Sequence, residues 1–156
     1  MPHKLEVSFN SPQCGWMSIG FRDSESEFHT TTAHTPHAGA LPELMMMLTA
    51  LGHDSDPQNE YTLKWNRDPE EFDFHFARNG ERVTLQIYEY PTEDRDVSER
   101  QLAFEHVGTV DDVVTAFGST FDQLYADRDT DEFEFNWRQP FPLAEYEEFK
   151  KTLTTK

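Results

Sequence analysis

An Asn-Gly dipeptide at positions 79 and 80 constrains the fold of this chain more than any other feature of its sequence. The dipeptide favours a type I′ two-residue turn, and apolar residues alternate with polar ones on both sides of it. A loop formed by these two residues would set the register so that each apolar residue faces another across the pair. The predicted pairs are Phe76 with Val83, Phe74 with Leu85 and Phe72 with Ile87. The sequence therefore predicts an antiparallel hairpin with one apolar face.

Other segments show the same alternation of apolar and polar residues. Runs with strand-like patterns lie at 5–9, 16–21, 27–32, 61–65 and 102–106. Turn-forming or charged residues separate these runs from one another. With the two hairpin strands, the pattern predicts an antiparallel sheet of about six to seven strands arranged in two meanders. Near the carboxyl end, Phe133, Phe135 and Trp137 alternate in the same way.

Three segments have the periodicity of helices. Residues 41–51 are apolar almost all round, with Pro42 in the first turn and Gly52 where a left-handed cap would end the helix. Thr109 is placed to cap a second helix. The apolar face of that helix is predicted to contain Val110, Val113, Val114, Phe117, Phe121 and Leu124. The spacing of Leu143, Tyr146, Phe149 and Leu153 predicts a third helix. These patterns predict a single α+β domain over residues 1–156, with two to three helices packed on the sheet.

The chain carries a strong negative charge, with 30 acidic side chains against 13 Lys and Arg and a formal net charge of −17. This charge repels phosphate backbones and anionic lipids, so we expect neither a nucleic acid nor a membrane as partner. The first residues lack the apolar run of a secretory signal, and no apolar stretch is long enough to span a bilayer. The lone cysteine, Cys14, cannot form an internal disulfide and is expected to be at least partly buried beside Trp16. We therefore expect a soluble, cytoplasmic protein.

Three histidines within nine residues, His29, His34 and His37, are weak candidates for a metal site. Their spacing does not match the His-x-x-x-His pattern of a zinc-binding helix, so solvated loop histidines are the simpler interpretation. No glycine-rich phosphate loop or other cofactor motif is present, and we predict no cofactor.

Asp73 and His75 share one face of a predicted strand with Glu71, and such a group can orient an imidazole for acid-base catalysis. No Ser or Cys nucleophile motif accompanies them, so a solvated strand face is the simpler interpretation. His106 lies on the same predicted face as Leu102 and Phe104, and we expect a hydrogen-bonded histidine in the core or at its edge. An enzyme is therefore less favoured than a binding protein.

Two acidic stretches are the candidate partner-binding sites. The first consists of Glu93, Asp94, Asp96 and Glu99. The second consists of Asp127, Asp129, Asp131, Glu132 and Glu134. Clustered carboxylates accelerate association with a basic partner, and nearby aromatic residues such as Trp137 can act as apolar anchors. The alternative interpretation is a solubilising surface with no partner.

From Leu41 to Tyr90, an Ala/Leu-rich helix is followed by LKWNRDPEEFDFHFARNGERVTLQIYEY. This order resembles small bacterial families of uncharacterised function, in which a Trp and a Pro-Glu precede paired strands joined by an Asn-Gly or Asp-Gly turn. The resemblance covers about a third of the chain. By size, charge and general architecture, the chain also resembles the immunity proteins that neutralise polymorphic bacterial toxins.

These observations lead to three hypotheses about function. The first is a non-enzymatic bacterial binding protein, immunity-like, that blocks a basic toxin or enzyme with its acidic surface. The second is a small metal-dependent or hydrolytic enzyme that uses the histidines and Asp73. The third is a protein whose acidic surface is an adaptation to high salt. The sequence does not indicate an oligomeric state.

Overall fold

The computed structural model describes residues 4–53, 60–67 and 69–154, and these form an α+β fold with two antiparallel sheets. The first sheet has the strand order β1-β2-β3, and the second has the order β4-β5-β6-β7. The strands of the first sheet are β1 (Glu6–Phe9), β2 (Trp16–Arg22) and β3 (Glu27–Ala33). Those of the second are β4 (Glu60–Asn66), β5 (Glu71–Asn79), β6 (Arg82–Tyr90) and β7 (Gln101–Thr109). The α+β class, the seven strands and the two meanders predicted from sequence are confirmed.

The described residues form four α-helices, which are α1 (Ala40–Leu51), α2 (Val110–Asp127), α3 (Phe133–Trp137) and α4 (Leu143–Thr154). The Thr109 hydroxyl accepts a hydrogen bond from the Asp112 amide at 3.0 Å, as the predicted cap of α2 requires, and the six predicted apolar residues of α2 are buried. Gly52 ends α1 in the right-handed region at φ −77°, so the predicted left-handed cap is wrong. No helix in the described part of the chain is long and apolar enough to cross a membrane.

Helix α2 packs between the inner faces of the two sheets, and Phe117 lies at the centre of this contact. Its ring centroid lies 6.2 Å from that of Phe9 on β1, 6.1 Å from that of Phe21 on β2 and 5.9 Å from that of Phe76 on β5. The sheets also touch each other directly, because the rings of Phe21 and Phe74 are 5.6 Å apart. The buried residues of both sheets and of the helices form one hydrophobic cluster, so the two meanders share a core.

The hairpin between β5 and β6 forms, but its register differs by two residues from the predicted one. Asn79 pairs with Arg82, so the loop is Gly80–Glu81, and the apolar pairs are Phe76 with Leu85 and Phe74 with Ile87. Gly80 has φ +65°, and the first loop position of a type II′ turn needs such a residue. Alternation has a period of two, so this shift keeps every apolar side chain on the predicted face.

Two further sequence predictions are wrong at the ends of strands. A register shift between β6 and β7 leaves Ala103 as an extra residue, and Leu102 is exposed instead of sharing the buried face of Phe104. Cys14 is exposed and has φ 53°, because it lies in the tight turn before β2 rather than within a strand. Neither residue contributes to the core.

Candidate partner-binding surface

The second acidic stretch lies in a connection between α2 and α4 that is fastened to the turn before β2. We call residues 128–138 the second acidic segment. The Gly15 amide donates a hydrogen bond to the Asn136 carbonyl at 2.6 Å, and the Ser11 hydroxyl donates to the Asp131 carboxylate at 2.6 Å. The Asn136 side-chain amide donates in turn to the carbonyls of Asp131 and Glu132. The segment is therefore held in one shape by contacts with residues more than 100 positions away.

Helix α3 divides the aromatic residues of the second acidic segment between the core and the surface. The alternation that suggested an extended chain belongs instead to this single helical turn. Trp137 is only 2% exposed, and its ring packs 6.1 Å from that of Trp65, so the prediction that Trp137 contacts a partner is wrong. Phe133 is also buried, whereas Phe135 is 76% exposed. The large apolar residue that this segment exposes is therefore Phe135, which the sequence pattern grouped with Phe133 and Trp137.

The carboxylates predicted to bind a partner all lie on the surface. In the second acidic segment these are Asp129, Asp131, Glu132 and Glu134. In the first stretch they are Glu93, Asp94, Asp96 and Glu99. None of these eight forms an ion pair with a cation of the described residues, so their charge is not neutralised within that part of the chain. Hydrogen bonds from the Ser98 hydroxyl and amide lower the pKa of Asp96, which keeps that carboxylate charged.

The first acidic stretch lies in the connection between β6 and β7, residues 91–100, which we call the first acidic segment. All of its residues are exposed except Arg95, whose side chain turns inward. The Nε of Arg95 donates to the Glu71 carboxylate at 2.9 Å, and one terminal nitrogen forms an ion pair with Asp73. The other terminal nitrogen donates to the carbonyl of Phe72 at 3.0 Å. One arginine therefore fastens this segment to the outer face of the second sheet.

Glu71 and Asp73, which sequence reasoning placed on a solvated strand face, are both buried, so that prediction is wrong. They are 4% and 9% exposed respectively, because the first acidic segment folds over them. The second oxygen of Asp73 accepts a hydrogen bond from the Tyr90 hydroxyl at 2.6 Å. Burial and this bond to a carboxylate raise the pKa of Tyr90. Residues Glu71 and Asp73 thus hold the first acidic segment and do not face solvent.

Trp65 connects the anchors of the two acidic segments. Its indole ring packs against Trp137 of the second acidic segment, and its backbone carbonyl accepts a hydrogen bond from Arg95 of the first at 3.4 Å. The ring nitrogen of Trp65 donates to the carbonyl of Ala33 at 3.1 Å, which fixes the indole between the sheets. The two acidic segments are far apart in sequence, yet both are attached to this one buried residue. We call their eight exposed carboxylates together with Phe135 the acidic surface.

The three histidines proposed as weak metal ligands have separate partners. His29 pairs with Glu27 on the exposed face of β3, and the His34 ring contacts the Gly15 carbonyl at 3.1 Å. His37 lies 2.8 Å from a carboxylate oxygen of Glu71. Among the described residues, no group of three His, Cys, Asp or Glu side chains is arranged to hold a metal ion. His34 and His37 instead support the connection between β3 and α1. This connection runs past Arg95 and Trp137, the residues that anchor the two acidic segments.

The proposed acid-base group on β5 is also divided. His75 contacts the Thr62 hydroxyl at 2.8 Å and Glu60 at 3.3 Å, whereas Asp73 is bound to Arg95 and Tyr90. The carboxylate partner of this imidazole is therefore Glu60 on the neighbouring strand β4, and not Asp73.

No protein-family model, curated protein or solved structure matches this chain.

Proposed function

We propose that this protein is a non-enzymatic binding protein whose acidic surface blocks a basic protein, in the manner of an immunity protein acting on a toxin or enzyme. The observation that supports the proposal is the environment of Phe135. A phenyl ring that is 76% exposed lies beside Glu132 and Glu134, on a helix that is fixed to the core by Trp137. Exposed aromatic side chains surrounded by polar residues are typical anchors of protein interfaces.

The charge of the surface favours a basic partner. The eight exposed carboxylates have no ion-pair partner among the described residues, so they create a negative field. This field speeds the encounter with a positive surface and repels an acidic one. The field is screened over about 10 Å at 0.1 M salt and about 3 Å at 1 M salt. We therefore expect association to be fast at low salt and markedly slower at high salt.

The fixed shape of the second acidic segment supports tight binding. Ordering a loop on binding costs free energy, and this protein has already ordered that segment through Asn136 and Trp137. A partner would therefore meet a surface in its binding conformation. We place the interaction in the cytoplasm, because the one cysteine provides no internal disulfide.

The test is capture of a basic protein from an extract of the source organism, with wild-type protein and two pairs of variants on the resin. Phe135→Ala removes the anchor, and its control is Leu143→Ala, which truncates an exposed apolar residue on α4. Glu132→Gln with Glu134→Gln removes two charges, and its control is Glu145→Gln with Glu148→Gln on α4.

We expect one basic protein that binds the wild type and both controls at low salt, is lost with Phe135→Ala, and is weakened by the Glu132 and Glu134 changes. The proposal fails if no basic protein is captured at low salt. It also fails if the site variants and their controls retain the same protein equally well.

A further inference from the structure

The pocket that holds Arg95 matches the shape and donor pattern of a guanidinium group. Two carboxylates, from Glu71 and Asp73, accept hydrogen bonds from different nitrogens of the group. The carbonyl of Phe72 accepts from a third nitrogen, and the ring of Tyr90 lies 5.2 Å from the guanidinium carbon. A planar fork with five N–H groups fits such a pocket, whereas a compact ammonium reaches fewer of these acceptors.

The acceptors of this pocket are held in place by groups other than Arg95. Glu71 and Asp73 lie on β5, which pairs with β4 on one side and with β6 on the other. The Tyr90 hydroxyl holds the second oxygen of Asp73 at 2.6 Å, and His37 lies 2.8 Å from Glu71. The pocket for the guanidinium group therefore belongs to the second sheet. Arg95 enters it from a separate part of the chain, the connection between β6 and β7.

The connection that supplies Arg95 has little else to hold it. Every other residue of the first acidic segment is exposed, and Arg95 itself has φ 51°, a left-handed conformation that is unfavourable for a residue with a Cβ. At its far end, Arg100 stacks 4.0 Å from the ring of Tyr88 and lies 3.4 Å from the Tyr90 hydroxyl. Releasing Arg95 would relieve this backbone strain and free the segment without disturbing the core.

We propose that Glu71 and Asp73 form a guanidinium-binding site that Arg95 fills in the resting protein, and that a guanidinium group from outside replaces Arg95 and releases residues 91–100. The ligand chemistry is a guanidinium cation, carried either by an arginine side chain of a peptide or by a small guanidinium compound. The pocket itself is independent of the proposed function. The idea that a basic partner delivers the arginine rests on that function.

The first experiment removes the internal occupant. In Arg95→Ala, methylguanidinium should bind saturably and raise the thermal midpoint, because a ligand that binds only the folded state stabilises it. Methylammonium should bind at least about tenfold more weakly, because it lacks the planar fork. The control variant is Arg22→Ala, which breaks an exposed ion pair with Glu6 and should show no saturable effect of either probe.

Adding Glu71→Gln and Asp73→Asn to Arg95→Ala should abolish the response to methylguanidinium. If Arg95→Ala does not fold alone, recovery of its circular dichroism signal in methylguanidinium supports the site, and absence of recovery overturns it. An equal response of Arg95→Ala and Arg22→Ala also overturns it. None of these readouts involves Phe135, so the site and the proposed function can fail separately.

The second experiment uses the wild-type protein and follows amide hydrogen exchange in residues 91–100. A tetra-arginine peptide should accelerate exchange there as it saturates, and a tetra-lysine peptide of equal charge should not. Acceleration by methylguanidinium as well would identify a site open to small compounds, whereas acceleration by the peptide alone would identify an arginine carried by a protein. Unchanged exchange with every probe would show that Arg95 is not displaced and would overturn the proposal.

Discussion

His106 bridges one buried and one partly buried carboxylate, and replacing it by leucine should cost a large part of the stability of the fold. Its Nδ1 lies 2.8 Å from Asp23 in the turn between β2 and β3, and its Nε2 lies 2.8 Å from Asp112 in the first turn of α2. The imidazole is fully buried. A carboxylate accepts hydrogen bonds, and each ring nitrogen of His106 faces one such acceptor, so the two contacts join β7 to this turn and to α2. This confirms the buried, hydrogen-bonded histidine that the sequence predicted.

The expected loss follows from what His106→Leu leaves behind. The Asp23 carboxylate, which is 4% exposed, and the Asp112 carboxylate, which is 17% exposed, would both lose this partner. Breaking a buried ion pair by removing one partner costs about 3–5 kcal/mol. For a chain of this length, that loss lowers the thermal midpoint by roughly 6–20 °C. By contrast, His29→Leu removes an exposed pair with Glu27 and should leave the free energy of unfolding nearly unchanged.

Urea denaturation of four proteins measures this effect: the wild type, His106→Leu, the double variant Asp23→Asn with Asp112→Asn, and the triple variant. The loss caused by His106→Leu should shrink to under about 1.5 kcal/mol in the double-variant background, because no buried charge is then abandoned. A loss below about 1 kcal/mol in the wild-type background, or the same loss in both backgrounds, would show that the carboxylates left without a partner are not the cause of the loss.

The same network should make stability depend on acid. Burial by itself would raise the pKa of Asp23, but the hydrogen bond with His106 and those from the amides of Glu25 and Ser26 lower it overall. A lowered pKa means that the contribution is present above the ordinary Asp value of about 4 and is lost as the pH falls through the folded-state value. Asp23→Asn should therefore flatten the fall in stability below about pH 4.

Three further predictions concern the glycine beside His106, the binding of metal ions and the effect of salt. Gly108→Ala should destabilise the fold, because a Cβ there would lie 2.5 Å from an Asp112 carboxylate oxygen and 2.8 Å from the His106 Nε2; thermal denaturation measures the loss. Added zinc, copper or nickel should leave the thermal midpoint of tag-free protein unchanged, because His29, His34 and His37 have separate partners; a saturable rise would contradict this. If the acidic surface serves a partner, circular dichroism should show a folded chain at low ionic strength, whereas unfolding there would favour adaptation to salt.

Local patterns were sufficient to predict most of the fold. Helix α2 follows from a cap residue and a regular apolar face, because both signals lie within one stretch of sequence. The hairpin was also predictable, but its register was not, since a shift of two residues preserves the buried face and the positive φ of Gly80 suits either turn. The bulge at Ala103 depends on how β7 meets β6, and the sequence of β7 alone carries no sign of it.

The sequence was sufficient to predict which carboxylates of the candidate site are exposed. It was not sufficient to predict which contacts hold the two acidic segments in place. Arg95 reaches carboxylates 22 and 24 positions away, and that contact depends on the path of a connection with no periodic pattern. Trp137 was misplaced because a five-residue helix shows too little periodicity to be distinguished from an alternating strand. The one sequence signal for the anchor of the first acidic segment was Arg95, the single basic residue between Glu93 and Glu99.

Binding of a basic protein through Phe135 and the carboxylates around it is tested by the affinity of the captured partner for the wild type and for Phe135→Ala, each at low and at high salt. Truncating this ring should weaken binding by about 2 kcal/mol or more, roughly 30-fold, at both salt concentrations, and salt should weaken binding to both proteins. Equal affinity of the wild type and Phe135→Ala, or binding that does not change with salt, would show that this surface does not bind a basic protein in this way.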